Sequence, residues 1–416
     1  MSNASFGHAH EFPRAERQIR LGIVGGGGGG FIGPVHALSA RMDNRYKLHA
    51  GALSSRPEVA KQAGAAWFLD PERSYADYRE MATSESGRDN GIEVVAIATP
   101  NHTHHAIARA FLDAGINVIC DKPLTRTIDE AADLVAAVEG SKLGFYVTHP
   151  YAAYPMIRQA WRMVREGLLG NIRLVHVEFV MDWLTNPIDL EGDRHASWRT
   201  DPKFSGGGGA IADIGTHAWH LARFVTGLEV SELSARLSRL VPGRQLDDNA
   251  HVLMRYENGA EGTLICTQVA PGNECGLRLR IYGDKAGIEW AQESANYLTF
   301  CKFGEPKRIL GRGETSLFPE AARMTRVPRG NPEGYLECFA NLYTEIAVDL
   351  AARSSGRKPE VPCLAADVMD GAMGISFVET CLVSAQHGGK WLDPAAPLGR
   401  AMSKIKSQKG EVAQCQ

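Results

Sequence analysis

Short, continuous apolar runs alternate with longer helix-like segments over the first third of the chain. The runs lie at 19–24, 48–53, 94–98, 116–120 and 144–147. Strands apolar on both faces and separated by helices predict a parallel sheet covered on both sides. Helix signals agree. Thr127-Ile128-Asp129-Glu130 forms a capping box, and Gly115 stands where a C-terminal cap would end a helix over 106–114. Pro155 fits a first helical position, and Ile157, Trp161, Val164 and Leu168 then recur as a core stripe. From about residue 148 the pattern shortens to strand-like alternation. Segments 175–180, 234–240, 251–256, 262–268 and 277–282 read as strands of a larger, mainly antiparallel sheet, with Asn258-Gly259 as a hairpin turn. Segments 335–352 and 365–383 read as helices, and the chain after Asp393 reads as polar and loose. No repeat at solenoid spacing is present. The pattern predicts a doubly wound α/β domain over 1–148, followed by an α+β domain over 149–416.

Composition narrows the class without changing that picture. A chain of 416 residues exceeds one ordinary core, and 44% hydrophobic with 22% charged residues is the balance of a globular enzyme. A net charge of −3 argues against a nucleic-acid or anionic-membrane partner. No apolar stretch reaches the roughly 20 residues that span a bilayer. Eight scattered cysteines without a CxxC pair suggest reduced thiols and a cytoplasmic location. Residues 1–16 are polar and lack the apolar core of a signal peptide, and Ser2-Asn3-Ala4 reads as a cloning remnant.

The first candidate for chemistry is a run of six glycines, Gly25 to Gly30, leading into Phe31-Ile32-Gly33-Pro34. A glycine loop between a first strand and a first helix admits a dinucleotide pyrophosphate, because no side chain blocks the backbone and the helix start presents free N–H groups. The literal Gly25-x-Gly27-x-x-Gly30 is present, Gly25 and Gly27 suit the tight turn, and either Gly30 or Gly33 could pack the helix on the sheet. A flexible linker is the competing reading, and the tight flanking by strand and helix counts against it.

Parallel strands present their carboxyl ends along one edge, where ligands bind. The strand ending at Ala98 delivers Thr99-Pro100-Asn101-His102 there, and the next delivers Asp121-Lys122-Pro123. A lysine at that edge can polarise a hydroxyl or carbonyl; a solvated loop lysine is the plainer alternative. In the second domain, Ser205-Gly206-Gly207-Gly208-Gly209 approaches a helix carrying Asp213 and His217, four residues apart and so on one face. An acid that orients an imidazole gives a proton acceptor working near neutral pH. Asp213 as a mere cap, or Asp213, His217 and His220 as metal ligands, are the alternatives.

Taken together, the glycine loop, T-P-N-H, D-K-P and the G-G-G-x-x-x-D-x-G-x-H segment resemble the Gfo/Idh/MocA family of NAD(P)-dependent sugar and polyol oxidoreductases, over about residues 20–391. The resemblance implies a Rossmann domain plus an open-faced sheet domain with the active site between them. It implies that Lys122 bonds the reacting hydroxyl and the nicotinamide ribose, that His217 is the general acid/base, and that Asp213 is the carboxylate that tunes the site and contacts substrate. It further implies that Thr99, Pro100, Asn101 and His104 lie along the nicotinamide and that no metal is needed. Asp121 stands in place of the usual glutamate and His220 in place of a second aspartate. The long Gly25–Gly33 loop, with Phe31 and Ile32 in it, resembles that of levoglucosan-type dehydrogenases.

At the end of the second strand, Ala52-Leu53-Ser54-Ser55-Arg56 lacks the acid that would bond the ribose 2′-hydroxyl of NAD. Arg56 suits a 2′-phosphate and tilts the reading slightly to NADP, while Ser54 could serve NAD if Arg56 faces solvent. Tyr151, Tyr154, Trp183, His195, Trp198 and Arg199 fall in segments expected to face the cleft, where aromatic faces suit a carbohydrate ring, and the resemblance implies a further cleft loop at 331–335. The expected function is hydride transfer between a sugar, anhydrosugar or polyol hydroxyl and nicotinamide in a homo-oligomer, dimer or tetramer, joined through the second sheet. A redox-assisted, NAD-dependent glycosidase and a non-catalytic dinucleotide sensor are the rival readings.

Overall fold

Among the residues that the computed structural model describes, 12–13 and 15–414, the strands form two sheets. β1 (Ile19–Gly25), β2 (Tyr46–Ala52), β3 (Val94–Ala98), β4 (Asn117–Asp121) and β5 (Phe145–Thr148) run parallel in the order β2-β1-β3-β4-β5. Every residue of β3, Val-Val-Ala-Ile-Ala, is buried, as a central strand covered on both faces requires. Connections leave β1 in opposite directions, so the carboxyl ends of β1 and β3 diverge and open a crevice between them. Gly25 pairs in register with Ala98 at that point, which sets the glycine loop beside the loop that begins at Thr99.

The second sheet contains β6 (Ile172–Val180), β7 (Val230–Ser238), β8 (Asn249–Tyr256), β9 (Glu261–Thr267), β10 (Gly276–Gly283), β11 (Ala286–Ala291), β12 (Tyr297–Lys302) and β13 (Arg308–Gly311). Its order is β13-β12-β11-β10-β6-β9-β8-β7, and all pairings are antiparallel except β6 with β9. Strict alternation decides its two faces. Val175, Val177 and Phe179 of β6 and Val252, Met254 and Tyr256 of β8 are buried on the covered face, where helix Thr216–Thr226 packs on β6, β9 and β10 and helix Pro155–Arg165 on β11 and β12. The intervening residues look out from an uncovered face, where Leu253, Tyr297 and Ile309 are exposed. β11, β12 and β13 were not anticipated, since each carries the alternation over six residues or fewer.

The end of the chain returns to the first sheet. β14 (Ala366–Asp367) adds antiparallel to β5, so the first layer takes an edge from beyond the 148/149 division. Helix Tyr335–Ser354 packs against helix Ile32–Met42, and three contacts tie it to the first domain: Tyr46 Oη donates to Tyr343 O (2.9 Å), Tyr343 Oη pairs with His36 Nδ1 (2.7 Å) and Ser39 Oγ donates to Leu336 O (3.0 Å). This helix is one of the elements that hold the two layers together.

Two expectations need correction. The chain after Asp393 is not loose: Ala396–Gln414 is a helix laid against Ile128–Glu139, with Leu398, Ala401, Met402 and Ile405 at helical spacing on its packed side. Four apolar positions in about two turns, among many charges, were too weak a signal to be noticed. Helix Val368–Gln386 does reach the length and mean hydropathy (1.3) of a membrane span, but 61% of that stretch is buried inside the protein. The polar stretch up to residue 11, including Ser2-Asn3-Ala4, lies outside the described residues.

Candidate active site

A pocket of about 850 Å³ runs from the glycine loop to the second sheet. Gly25 to Gly30, Phe31 and Ile32 line one end, and Thr99, Pro100, Asn101, Asp121 and Lys122 the middle. Tyr151, Trp183, His195, Trp198, Arg199, Asp213 and His217 line the other end.

Steric limits sort the glycines. A Cβ on Gly25 would stand 2.4 Å from Ala98 O, and one on Gly27 2.5 Å from Leu53 O; Gly25 also has φ +92°. Only glycine allows these backbone approaches. The helix-packing position is Gly33, whose Cβ would meet Gly26 Cα at 2.3 Å, whereas one on Gly30 would find its nearest neighbour at 3.6 Å. The loop is thus a bare cradle at the start of a helix, with the form a pyrophosphate requires.

The edge loops are pinned to each other. The ring nitrogens of His104 lie 2.8 Å from Thr99 O and 3.0 Å from Pro123 O, so a buried histidine ties the loop after β3 to the turn after β4. Thr148 Oγ1 donates to Asp121 Oδ1. Lys122 Nζ reaches across to the second domain and donates to Asp213 O (2.6 Å) and Oδ1 (2.9 Å). Gln268 Nε2 donates to the other carboxylate oxygen of Asp213 at 2.8 Å.

Asp213 sits in a π-helical turn, Ile211–Gly215, that runs straight into helix Thr216–Thr226 with His217 in its first turn. A wide turn of this kind, at odds with the regular helix expected, is a common feature of functional sites. Burial opposes ionisation of Asp213, but Lys122 and Arg199 outweigh it and hold the carboxyl well below the usual carboxylate range. Burial, then Lys122 and His149, hold His217 well below its ordinary value, so its ring is neutral. His217 packs edge-on against Tyr151 (4.8 Å between centroids) and His149 (5.4 Å), and its Nδ1 is buried without a hydrogen-bond partner.

His220 lies behind this group, stacked on His149 at 4.1 Å, and burial with Arg223 and Arg158 pushes it down to about 3. It therefore turns away from Asp213, whose carboxylate is already taken by Lys122 and Gln268, and the three do not converge on a metal position.

Other expected residues fall elsewhere. Tyr154 is not at the pocket: it is 2% exposed, packed against Trp290, because the Tyr154–Pro155 helix start turns it under the second sheet. Ser54 and Ser55 line the pocket, while Arg56 is exposed beside it and uses its backbone N–H to reach Ser54 Oγ (3.2 Å). Tyr335 of the 331–335 segment does reach the pocket and stacks with Phe31 at 6.2 Å. Gln268, His149, Phe179, Met181 and Cys275 were not anticipated as neighbours of the site. They come from strand ends whose local sequence carries no motif.

Comparison with known proteins agrees with this arrangement. Residues 19–149 match the oxidoreductase family described as having an NAD-binding Rossmann fold, and residues 157–289 match the GFO/IDH/MocA C-terminal domain. The uncharacterized oxidoreductase YfiI of Bacillus subtilis is 34% identical over 91% of this chain and 97% of its own length. Levoglucosan dehydrogenase of Pseudarthrobacter phenanthrenivorans is 31% identical over 68% of this chain and 76% of its own. An inositol dehydrogenase homologue from Azotobacter vinelandii, solved with NAD+, superposes with a TM-score of 0.86 at 36% identity, covering 91% of this chain and 98% of that one.

Proposed function

This chain belongs to the Gfo/Idh/MocA family of NAD-dependent oxidoreductases, and on that premise we propose that it oxidises a CH–OH group of a cyclic polyol, sugar or anhydrosugar, with Lys122, Asp213 and His217 as its acid–base set. The observation that carries this reading is the pair of hydrogen bonds that Lys122 Nζ donates to Asp213, beside a neutral His217, in a pocket continuous with the glycine cradle. The substrate class draws support from the levoglucosan dehydrogenase and from the Azotobacter homologue, which was also solved with NADH and myo-inositol. Tyr151, Trp183 and Trp198 offer the aromatic faces on which a carbohydrate ring packs.

The bare glycine backbone and the N–H groups at the start of helix Ile32–Met42 would hold the dinucleotide pyrophosphate, and bound nicotinamide supplies the hydride acceptor. Lys122 donates a hydrogen bond to the substrate oxygen and favours the charge that develops there. Asp213 keeps the ammonium aimed and offsets the positive charge that His217 acquires on accepting the hydroxyl proton. The proton thus leaves oxygen for the imidazole as the carbinol hydrogen leaves carbon as hydride.

For the cofactor, Ser54 and Ser55 stand at the ribose end, while of the carboxylates lining the pocket Asp121 lies in its middle and Asp213 at its far end. No carboxylate lines the pocket beside Ser54 and Ser55, and the exposed Arg56 next to them could pair with a 2′-phosphate, which supports use of NADP alongside NAD. The uncovered face of the second sheet is the surface for self-association, as a dimer or tetramer, and the free cysteines among the described residues suit a reducing, cytoplasmic setting.

A panel of polyols, inositols, aldoses and anhydrosugars, assayed separately for reduction of NAD and of NADP, tests the reading. Turnover of at least one cyclic member is expected, with the Arg56→Ala variant losing NADP but not NAD use. Absence of turnover with every alcohol and both cofactors would overturn it.

A further inference from the structure

The glycine run before the active-site turn, Gly206 to Gly209, ends against an acidic pair from another part of the second domain. Asp247 Oδ1 accepts from Gly209 N (2.7 Å), Oδ2 accepts from Ile211 N (2.9 Å), and Asp247 O accepts from Ala210 N (2.8 Å). Three consecutive N–H groups at the entry of the Ile211–Gly215 turn are thereby held by one residue, at the place where a helix start has no partners of its own. The approach is so close that a Cβ on Gly209 would stand 2.0 Å from Asp247 O.

The neighbouring residue grips the same turn from its other side. Asp248 O accepts from Gln268 N (2.9 Å), and Gln268 Nε2 is the group that bonds Asp213 Oδ2. The Asp248 carboxylate accepts from Leu240 N (2.8 Å), Val241 N (3.0 Å) and Arg244 Nη1 (3.2 Å). Arg244, its side chain 1% exposed, donates in turn to Leu184 O, Asn186 O and Asp189. Ser197 Oγ reaches Asp189 O from the pocket segment that carries His195, Trp198 and Arg199.

We propose that the Asp247–Asp248 pair is the positioning element of this enzyme, holding the turn that carries Asp213 and His217 in register with the substrate-facing segment 182–199. The proposal rests on the acid–base roles given above to Asp213 and His217. Neither aspartate lines the pocket, so both act through other residues. The carboxylate form of Asp247 is needed, because both of its oxygens are occupied as acceptors. A protonated or amide side chain would point a donor at one of the two N–H groups.

Asp247 is also the member that can respond to pH. Burial pushes its carboxyl up to about 6 against the pull of its backbone donors, with Asp248 adding to the rise. The titratable groups facing it are Asp248 of its own segment, Cys266 of β9 and Cys381 of helix Val368–Gln386. Both thiols are held protonated by burial, so acidification acts first on Asp247.

The test compares the full-length parent with Asp247→Asn, using NADH as ligand and the imidazole NMR signal of His217, assigned through a His217→Asn variant. In the parent, that signal is expected to shift with a midpoint near pH 6, and in Asp247→Asn to stay flat through the same range. With any alcohol that the substrate panel yields, kcat of Asp247→Asn is expected to fall by about tenfold or more while NADH affinity stays at the parent value. Should Asp247→Asn fail to fold, Gln268→Leu replaces it, with the same fall in kcat and a displaced His217 signal expected. A folded variant with parental kcat and a parental His217 signal would overturn the proposal. The NMR readout needs no turnover, so failure of the substrate reading would show as an inactive parent whose His217 still senses Asp247.

Discussion

At the residue scale, the reaction rests on a few groups whose surroundings set their charge. His217→Asn should lower kcat by about 10²–10⁴-fold, the usual share of a positioned acid–base group, with NADH affinity retained in a fluorescence titration. Lys122→Met should cost about 10²–10³-fold, as loss of a donor to developing oxyanion charge does, and should also free the Asp213 carboxylate from its nearest cation. The glycines make a sharper contrast. Gly33→Ala drives a Cβ into Gly26 Cα and should abolish dinucleotide binding, whereas Gly30→Ala makes only ordinary contact with Gly26 and should bind within a few-fold of the parent. Lys122, Asp213 and His217 were legible as candidates because short motifs at strand and helix ends carry their chemistry. Gln268, Asp247 and the stacked pair of His149 with His220 were not, because their roles arise from contacts between segments distant in sequence.

At the element scale, periodicity identified the five parallel strands and the helices near 335–352 and 365–383, since each buries a continuous apolar face. The π-helical turn at 211–215 and the short strands from β11 to β13 escaped, the first because it depends on the grip of Asp247 and the others because they are brief. The final helix, Ala396–Gln414, escaped because it is amphipathic only along a narrow stripe. Leu398, 4% exposed, anchors that stripe, so Leu398→Ala should cost about 2–5 kcal/mol in denaturant unfolding. Turnover measured below the unfolding transition should be unchanged, because this helix lies on the first domain away from the pocket.

For the whole molecule, the buried histidines predict how stability responds to acid. His149, His217 and His220 have folded-state pKa values depressed by burial, whereas an unfolded imidazole titrates at about 6.5. Their contribution is fully present above the unfolded value and is lost as pH falls towards the folded values, because the unfolded chain then takes up more protons. Each such histidine costs about 1.4 kcal/mol per pH unit in that range, and the raised Asp247, which takes a proton on the folded side below about 6, offsets one of them. The thermal midpoint should therefore fall steadily from about pH 7 to about pH 5. The uncovered sheet face predicts a second property of the whole particle. Leu253→Arg with Ile309→Arg, both on outward-facing positions, should lower the mass measured by light scattering if the sheet joins the subunits.

The most direct test of the account is the formation of reduced nicotinamide by the parent, Lys122→Met and His217→Asn enzymes on one cyclic alcohol from the panel. The parent should accumulate NADH or NADPH in step with ketone, and both variants should lose this activity almost completely with cofactor binding intact. Parental rates in either folded variant, or glycoside cleavage with no net gain of reduced cofactor, would contradict it.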